Sequence, residues 1–112
     1  MSLFLAVTPA EAALCRGYRV PLVHIAYAVG DGGRLLRSEL PRGTQGGLLG
    51  LSDRCSASFG SGETLCRAIL GECSARRFGG VLADFEGSAR EDRLSFLSRL
   101  GAMLTQSGRR LY

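Results

Sequence analysis

The sequence contains no lysine, so all 14 basic residues are arginine and give a net charge of +4. These arginines are spread along the chain, with adjacent pairs only at Arg76–Arg77 and Arg109–Arg110. No basic stripe is interleaved with aromatic side chains, so the charge pattern does not favour nucleic-acid binding. Because alanine, glycine and arginine are abundant, the missing lysine fits a bias in codon composition better than selection for nucleic acid.

The four cysteines lack the paired CxxC spacing of zinc sites, and no metal or cofactor is predicted. Cys66 and Cys73 are seven residues apart in a predicted helix. Their Cα atoms would be about 10 Å apart, which is too far for a disulfide. We therefore expect them to be small buried apolar groups in a protein of a reducing compartment.

The chain also lacks long apolar runs. No segment approaches the roughly 18–20 apolar residues of a membrane span, so no membrane contact is expected. The apolar run near the N-terminus has no positively charged start, stops at Val7 and is followed by Glu11. It therefore differs from a signal peptide, and we expect a cytoplasmic protein. Neither a GxGxxG motif before a helix nor a GxxxxGK[ST] motif is present to bind phosphate.

The composition fits one globular domain, which we assign to residues 1–112. Apolar runs predict strands over residues 3–7, 20–29, 46–51 and 80–85, and the start of another at 109–112. Helical patterns are expected over residues 10–16, 64–77 and 90–106. This alternation favours an α/β fold with a parallel sheet of about four strands and right-handed crossover helices.

Two helices have predicted faces. In the longest helix the predicted apolar face comprises Leu94, Leu97, Leu100, Met103 and Leu104. In the preceding helix the predicted apolar stripe comprises Leu65, Ala68, Ile69 and Cys73. Glu72 and Arg76 are four residues apart in that helix and are expected to form an exposed pair.

The segment FGGVLADFE, from Phe78 to Glu86, ends in two acids that are two residues apart. Since strand side chains alternate between faces, Asp84 and Glu86 should emerge together on one face at the strand's carboxyl end. Ligands and catalytic groups collect at this end of parallel sheets. Such a pair can equally well solvate a loop, so spacing alone leaves both interpretations open.

This segment resembles the signature strand of the family 18 glycoside hydrolases, the chitinase-like enzymes, which reads roughly Phe-Asp-Gly-Val-Asp-Leu-Asp-Trp-Glu. Gly79 and Leu82 stand where the family has its first two aspartates. The resemblance implies that Glu86 is the general acid that protonates the glycosidic oxygen. It implies that Asp84 orients the substrate's N-acetyl group, whose carbonyl oxygen is the nucleophile.

Two further segments extend the resemblance. HIAYA, from His24 to Ala28, is similar to the family's second-strand motif and implies that Tyr27 lines the floor of the sugar site. GGLLGL is only loosely similar to its third-strand Ser-x-Gly-Gly motif, because Gly50 stands at the serine position. Read from the residues alone, His24 and Tyr27 can also be ordinary strand residues with satisfied polar atoms.

A complete eight-stranded β/α barrel needs about 250 residues, so the likeness implies only the N-terminal half of a (β/α)8 TIM-type barrel. We expect a glycoside hydrolase-like domain related to enzymes that act on chitin, peptidoglycan or N-glycan cores, incomplete as given. The alternative is a non-catalytic half-barrel that acts as a binding or self-association module. A half-barrel exposes apolar faces and sheet edges, so a homodimer or larger homo-oligomer is expected.

Overall fold

A computed structural model describes residues 5–14, 22–53, 59, 62–85 and 90–112 of the chain. The strands are β1 (Leu5–Val7), β2 (Leu22–Val29), β3 (Leu35–Arg37), β4 (Leu48–Asp53), β5 (Gly80–Asp84) and β6 (Arg110–Leu111). The helices are α1 (Pro9–Leu14), α2 (Glu63–Arg76) and α3 (Arg90–Gln106). A helical turn at Asp31–Gly33 connects β2 to β3. None of the described helices is long and apolar enough to span a membrane.

The strands form one sheet in the order β1-β2-β4-β5-β6, and all four pairings along this path are parallel. The strands of this path follow one another in space as they do along the chain. The α/β class and the mostly parallel sheet are therefore as the sequence predicted. The expected start of a strand near residue 109 corresponds to β6.

The sheet has six strands, so the expectation of about four is too low. The additional strand that the sequence did not predict is β3, which pairs antiparallel with the carboxyl half of β2. Leu35–Arg37 is only three residues long and shows no clear alternation, so it carries little sequence signal. It becomes a strand because the turn at Asp31–Gly33 folds it back against β2.

The sheet has two distinct faces. The first, here called the helix face, carries Leu49, Leu51 and Val81, which form one core with the buried side chains of α2 and α3. The second, here called the distal face, carries Ile25, Leu48, Ser52, Leu82 and Asp84, as the strand pairings and side-chain alternation require. The distal face therefore presents the carboxylate of the signature strand.

Helix α3 has the bounds that the sequence predicted, but its buried face is rotated. The residues buried from α3 are Phe96, Leu100 and Leu104. Leu94, which was expected on the apolar face, is 53% exposed. Positions 96, 100 and 104 recur every four residues on one side, whereas position 94 is about 200° around the helix from position 96.

Helix α2 buries Leu65, Cys66, Ile69 and Cys73, whereas Ala68 is exposed. Cys66 and Cys73 are buried and form no disulfide, which confirms their predicted role as small core groups. Burial raises the pKa of the Cys73 thiol to about 11. This thiol is therefore protonated at neutral pH, in a site where a thiolate is unfavourable.

The second glycine of the signature strand has a structural role. A Cβ atom at Gly80 would collide with the carbonyl oxygen of Arg110 in the neighbouring β6. Only glycine lets the two backbones approach at this point of the β5–β6 ladder. The Gly-Val step at residues 80–81 is thus explained by strand packing alone.

Candidate functional site

Asp84 is the last residue of β5 and lies at the carboxyl end of the sheet. Its neighbour across the ladder is Ser52 of β4, which in turn pairs with Ala28 of β2. All three side chains are on the distal face, and Asp84 is exposed to solvent. Glu86, the predicted general acid, lies outside the described residues.

The backbone beside Asp84 is held by helix α3. Arg93 Nη1 donates a hydrogen bond to the carbonyl oxygen of Phe85 over 3.0 Å. The Phe85 ring packs on the helix face against Phe59, with centroids 5.6 Å apart, and Phe59 stacks on Phe96 at 4.7 Å. These contacts hold Phe85 against α3 and Phe59. The sequence did not predict this contact of Arg93, because a single arginine in a helix does not indicate which backbone carbonyl it will bond to.

A cavity of about 230 Å³ lies beside the carboxyl half of β2. It is lined by Ile25, Ala26, Tyr27, Ala28, Leu36, Arg37, Ser38 and Ser52. Ile25, Ala28, Leu36 and Ser52 belong to the distal face, as their pairings show. Ser52, which lines the cavity, also pairs with Asp84. The acid therefore lies on the neighbouring strand β5, and the two strands are about 5 Å apart. No sequence pattern indicated this cavity, because β3 supplies one of its walls.

Tyr27 lies on the helix face, opposite Asp84. Its side chain is buried, and its hydroxyl lies 3.4 Å from Oε1 of Glu72 in α2. Burial, followed by the negative charge of Glu72, raises the pKa of Tyr27 to about 12. The ring meets Phe78 edge to face at a centroid distance of 6.1 Å. The structure does not bring Tyr27 and Asp84 together on one face.

An irregularity in β2 decides where Tyr27 points. Ile25 pairs with Gly50 and Tyr27 pairs with Leu51, so Ala26 is an extra residue in the ladder. Simple alternation would place residues 25 and 27 on the same face. The extra residue shifts this phase and sends Tyr27 to the face that carries Leu51.

Glu72 is the centre of a polar contact between β2, β3 and α2. Its Oε1 accepts a hydrogen bond from Arg37 Nη1 over 2.8 Å and is also the atom that faces the Tyr27 hydroxyl. Arg76 Nε is 4.0 Å from Oε2, a distance that permits charge attraction but not a hydrogen bond. Only 22% of the Glu72 side chain is exposed, so the expected exposed Glu72–Arg76 pair is instead a half-buried contact between three elements.

His24 is 5% exposed, and its ring centroid lies 5.6 Å from that of Phe78. Burial lowers the pKa of His24, and the nearby positive charge of Arg76 lowers it further. A hydrogen bond with the Gly46 backbone acts in the opposite direction but does not outweigh burial. Among the described residues its Nδ1 has no hydrogen-bond partner. His24 is therefore a neutral core residue, remote from the distal face.

Within the described parts of the chain, no three histidine, cysteine, aspartate or glutamate side chains converge on a point where a metal ion could bind. Among the described residues, the distal face carries one exposed carboxylate at its carboxyl end, that of Asp84, together with hydroxyl groups and apolar side chains. These groups can bind a polar, uncharged molecule and place a carboxylate beside it.

Comparison of the chain with protein-family models, with characterised proteins and with solved structures finds no match. The likeness to the family 18 glycoside hydrolases therefore rests on the strand motifs alone.

Proposed function

We propose that this chain is a glycoside hydrolase-like half-barrel that binds N-acetylglucosamine-containing glycans, such as chitin, peptidoglycan or N-glycan cores. The binding surface is the distal face at the carboxyl ends of β2, β4 and β5. Glu86 is the general acid and Asp84 the residue that orients the N-acetyl group, once a second half or a partner encloses the site. The observation that carries this proposal is the position of Asp84 on the face opposite α2 and α3.

The strand order supports the half-barrel. Parallel strands that are neighbours both in sequence and in space, joined by right-handed crossovers, place their helices on one face, as in β/α barrels. Doubly wound sheets instead reverse their strand order and carry helices on both faces. The order β1-β2-β4-β5-β6 has no reversal, and the buried faces of α2 and α3 join one core on one side of the sheet. In a barrel of this kind the distal face is the interior.

The exposure of Asp84 supports a requirement for completion. A general acid works near neutral pH only if its pKa is raised by an enclosed, partly apolar site. Asp84, two residues before Glu86, is exposed in the single chain. Hydrolysis therefore depends on a second half or partner that covers this end of the sheet, whereas glycan binding does not.

The test measures binding and hydrolysis of a fluorogenic N-acetylglucosamine oligomer. In an assembly that covers the site, Glu86→Gln should reduce hydrolysis by roughly 10²–10⁴-fold, the usual contribution of a general acid. In the single chain it should leave binding intact. Asp84→Asn should weaken both. Glu39→Gln is the matched control, because Glu39 is exposed and follows β3, which runs antiparallel to β2 and away from its carboxyl end. A wild-type protein that neither binds nor hydrolyses the oligomer would contradict the proposal.

A second candidate function is self-association without catalysis, and the edges of the sheet favour it. Leu5, in the outermost strand β1, is 37% exposed, and β6 at the other end of the path has only two residues. Exposed sheet edges offer unpaired backbone groups to another chain. Two copies that meet edge to edge would enclose their distal faces in a common interior.

A further inference from the structure

The cavity beside β2 has a lining of mixed chemistry. Ile25 and Leu36 supply apolar surface, and Ser38 and Ser52 supply hydroxyl groups. Ile25 is 48% exposed, although β2 has strands on both sides, and Val23 on the same face is only 2% exposed. The accessible apolar surface of this strand is thus concentrated at the cavity.

Ser52 can accept further hydrogen bonds. Its hydroxyl lies 3.3 Å from the carbonyl oxygen of Tyr27, to which it donates. A serine hydroxyl has one donor hydrogen and two acceptor lone pairs, so this contact leaves the acceptor capacity free. A ligand with hydroxyl groups can use it.

The charge of the lining selects against ions. Arg37 is the one charged residue among the described residues that line the cavity, and its guanidinium is bonded to Glu72 at 2.8 Å. Since Arg37 pairs with Tyr27, its side chain leaves the strand on the helix face. A neutral molecule with an apolar side and a rim of hydroxyl groups therefore fits this lining, and a sugar ring has that distribution.

The volume of the cavity matches one ring. Pockets for drug-sized molecules measure about 300–1,000 Å³. The cavity formed by the described residues measures about 230 Å³, which is room for a single ring.

We propose that this cavity is a subsite for a single sugar ring, with Ile25 and Leu36 against the C–H face and Ser52 accepting a hydrogen bond from a hydroxyl. This inference rests on the proposed function. It defines the bound unit as one sugar ring, held in the cavity beside Ser52, the residue that pairs with Asp84. Ser52 and Ile25 are positioning residues for that ring, and neither takes part in bond cleavage.

The experiment is a titration of N-acetylglucosamine and of its trimer into the full chain, followed by NMR chemical-shift changes. Ser52→Ala and Ile25→Ser should each raise the Kd for the monosaccharide by roughly three- to tenfold, the effect of one hydrogen bond or a small apolar contact. The trimer should bind within about twofold of the monosaccharide, because one ring occupies the cavity. Ile25→Ala replaces Ile25→Ser if the latter does not fold.

Matched controls separate the outcomes. Ser98→Ala removes an exposed hydroxyl from α3, and Leu94→Ser removes an exposed apolar side chain from the same helix. Both should leave the Kd unchanged. Unchanged binding in the Ser52 and Ile25 variants, with weakened binding in Asp84→Asn, would overturn the subsite and leave the proposed function standing. A trimer that binds more than tenfold tighter than the monosaccharide would overturn the single-ring assignment, and a wild type that binds neither sugar would overturn both proposals.

Discussion

Tyr27 and Glu72 form the contact in which single residues have the clearest energetic consequence. The Tyr27 hydroxyl is buried and lies 3.4 Å from a carboxylate that Arg37 also holds. Ionisation of the phenol would bring a second negative charge next to Glu72 in a buried site. The folded protein therefore retains this proton to about pH 12, whereas an ordinary tyrosine loses it near pH 10.

Alkaline pH should destabilise the protein through Tyr27. Between about pH 10 and 12 the unfolded chain loses this proton and the folded chain keeps it, so stability is complete below pH 10 and falls as the pH rises. A difference of about two pKa units corresponds to about 2–3 kcal/mol. Urea denaturation across this pH range measures the loss, and tyrosinate absorbance follows the titration.

Tyr27→Phe is the control for this effect. It should remove the loss that Tyr27 contributes between about pH 10 and 12. The loss that remains should have the same sign and begin at a lower pH, because burial also raises the pKa of Cys73 to about 11. Since the chain has no lysine, the other side chains that titrate in this range are tyrosines and cysteines. An equal alkaline slope in wild type and variant would contradict the assignment to Tyr27.

Among the elements, α3 contributes most clearly through one face. Leu100 is fully buried between Phe96 and Leu104 along the helix, whereas Leu94 in the same helix is 53% exposed. The two positions share a residue type and a secondary structure but differ in environment. They therefore provide a matched pair for the contribution of packing.

Leu100→Ala should lower the free energy of unfolding by about 2–5 kcal/mol, because it removes buried methyl groups and leaves a cavity. Leu94→Ala should change it by less than about 0.5 kcal/mol, since an exposed side chain loses little. Chemical denaturation of both variants measures the difference. Equal losses at the two positions would mean that α3 packs on a face other than the one described.

The whole molecule presents a sheet with two edges and a distal face that is partly exposed at Ile25. If self-association covers the edges, the solution mass by light scattering should be twice the 11.9 kDa of one chain. Leu5→Arg should restore the monomer mass, because it places a charge on the outermost strand β1. Leu94→Arg is the control on α3 and should leave the dimer intact. A monomer at all protein concentrations would reject self-association.

The sequence by itself determined the order of the helices and of every strand except β3. Continuous apolar runs such as those in β2, β4 and β5, alternating with helical patterns, predict a parallel α/β sheet because strand and helix periodicities are local properties. The carboxyl-end position of Asp84 follows from the same alternation. The bounds of α3 were also predictable, since its glycine-containing C-terminus and its apolar spacing are local signals.

The tertiary structure alone decided which face each side chain occupies and what it meets there. The extra residue Ala26 reverses the side on which Tyr27 lies, and the position of such a bulge depends on the pairing of β2 with β4, which no single segment encodes. The contact of Glu72 with both Arg37 and Tyr27 likewise joins residues that are 35 and 45 positions apart in the sequence. The wall of the cavity that β3 forms comes from a strand too short to show a pattern. These features follow from packing between elements, whereas periodicity describes each element separately.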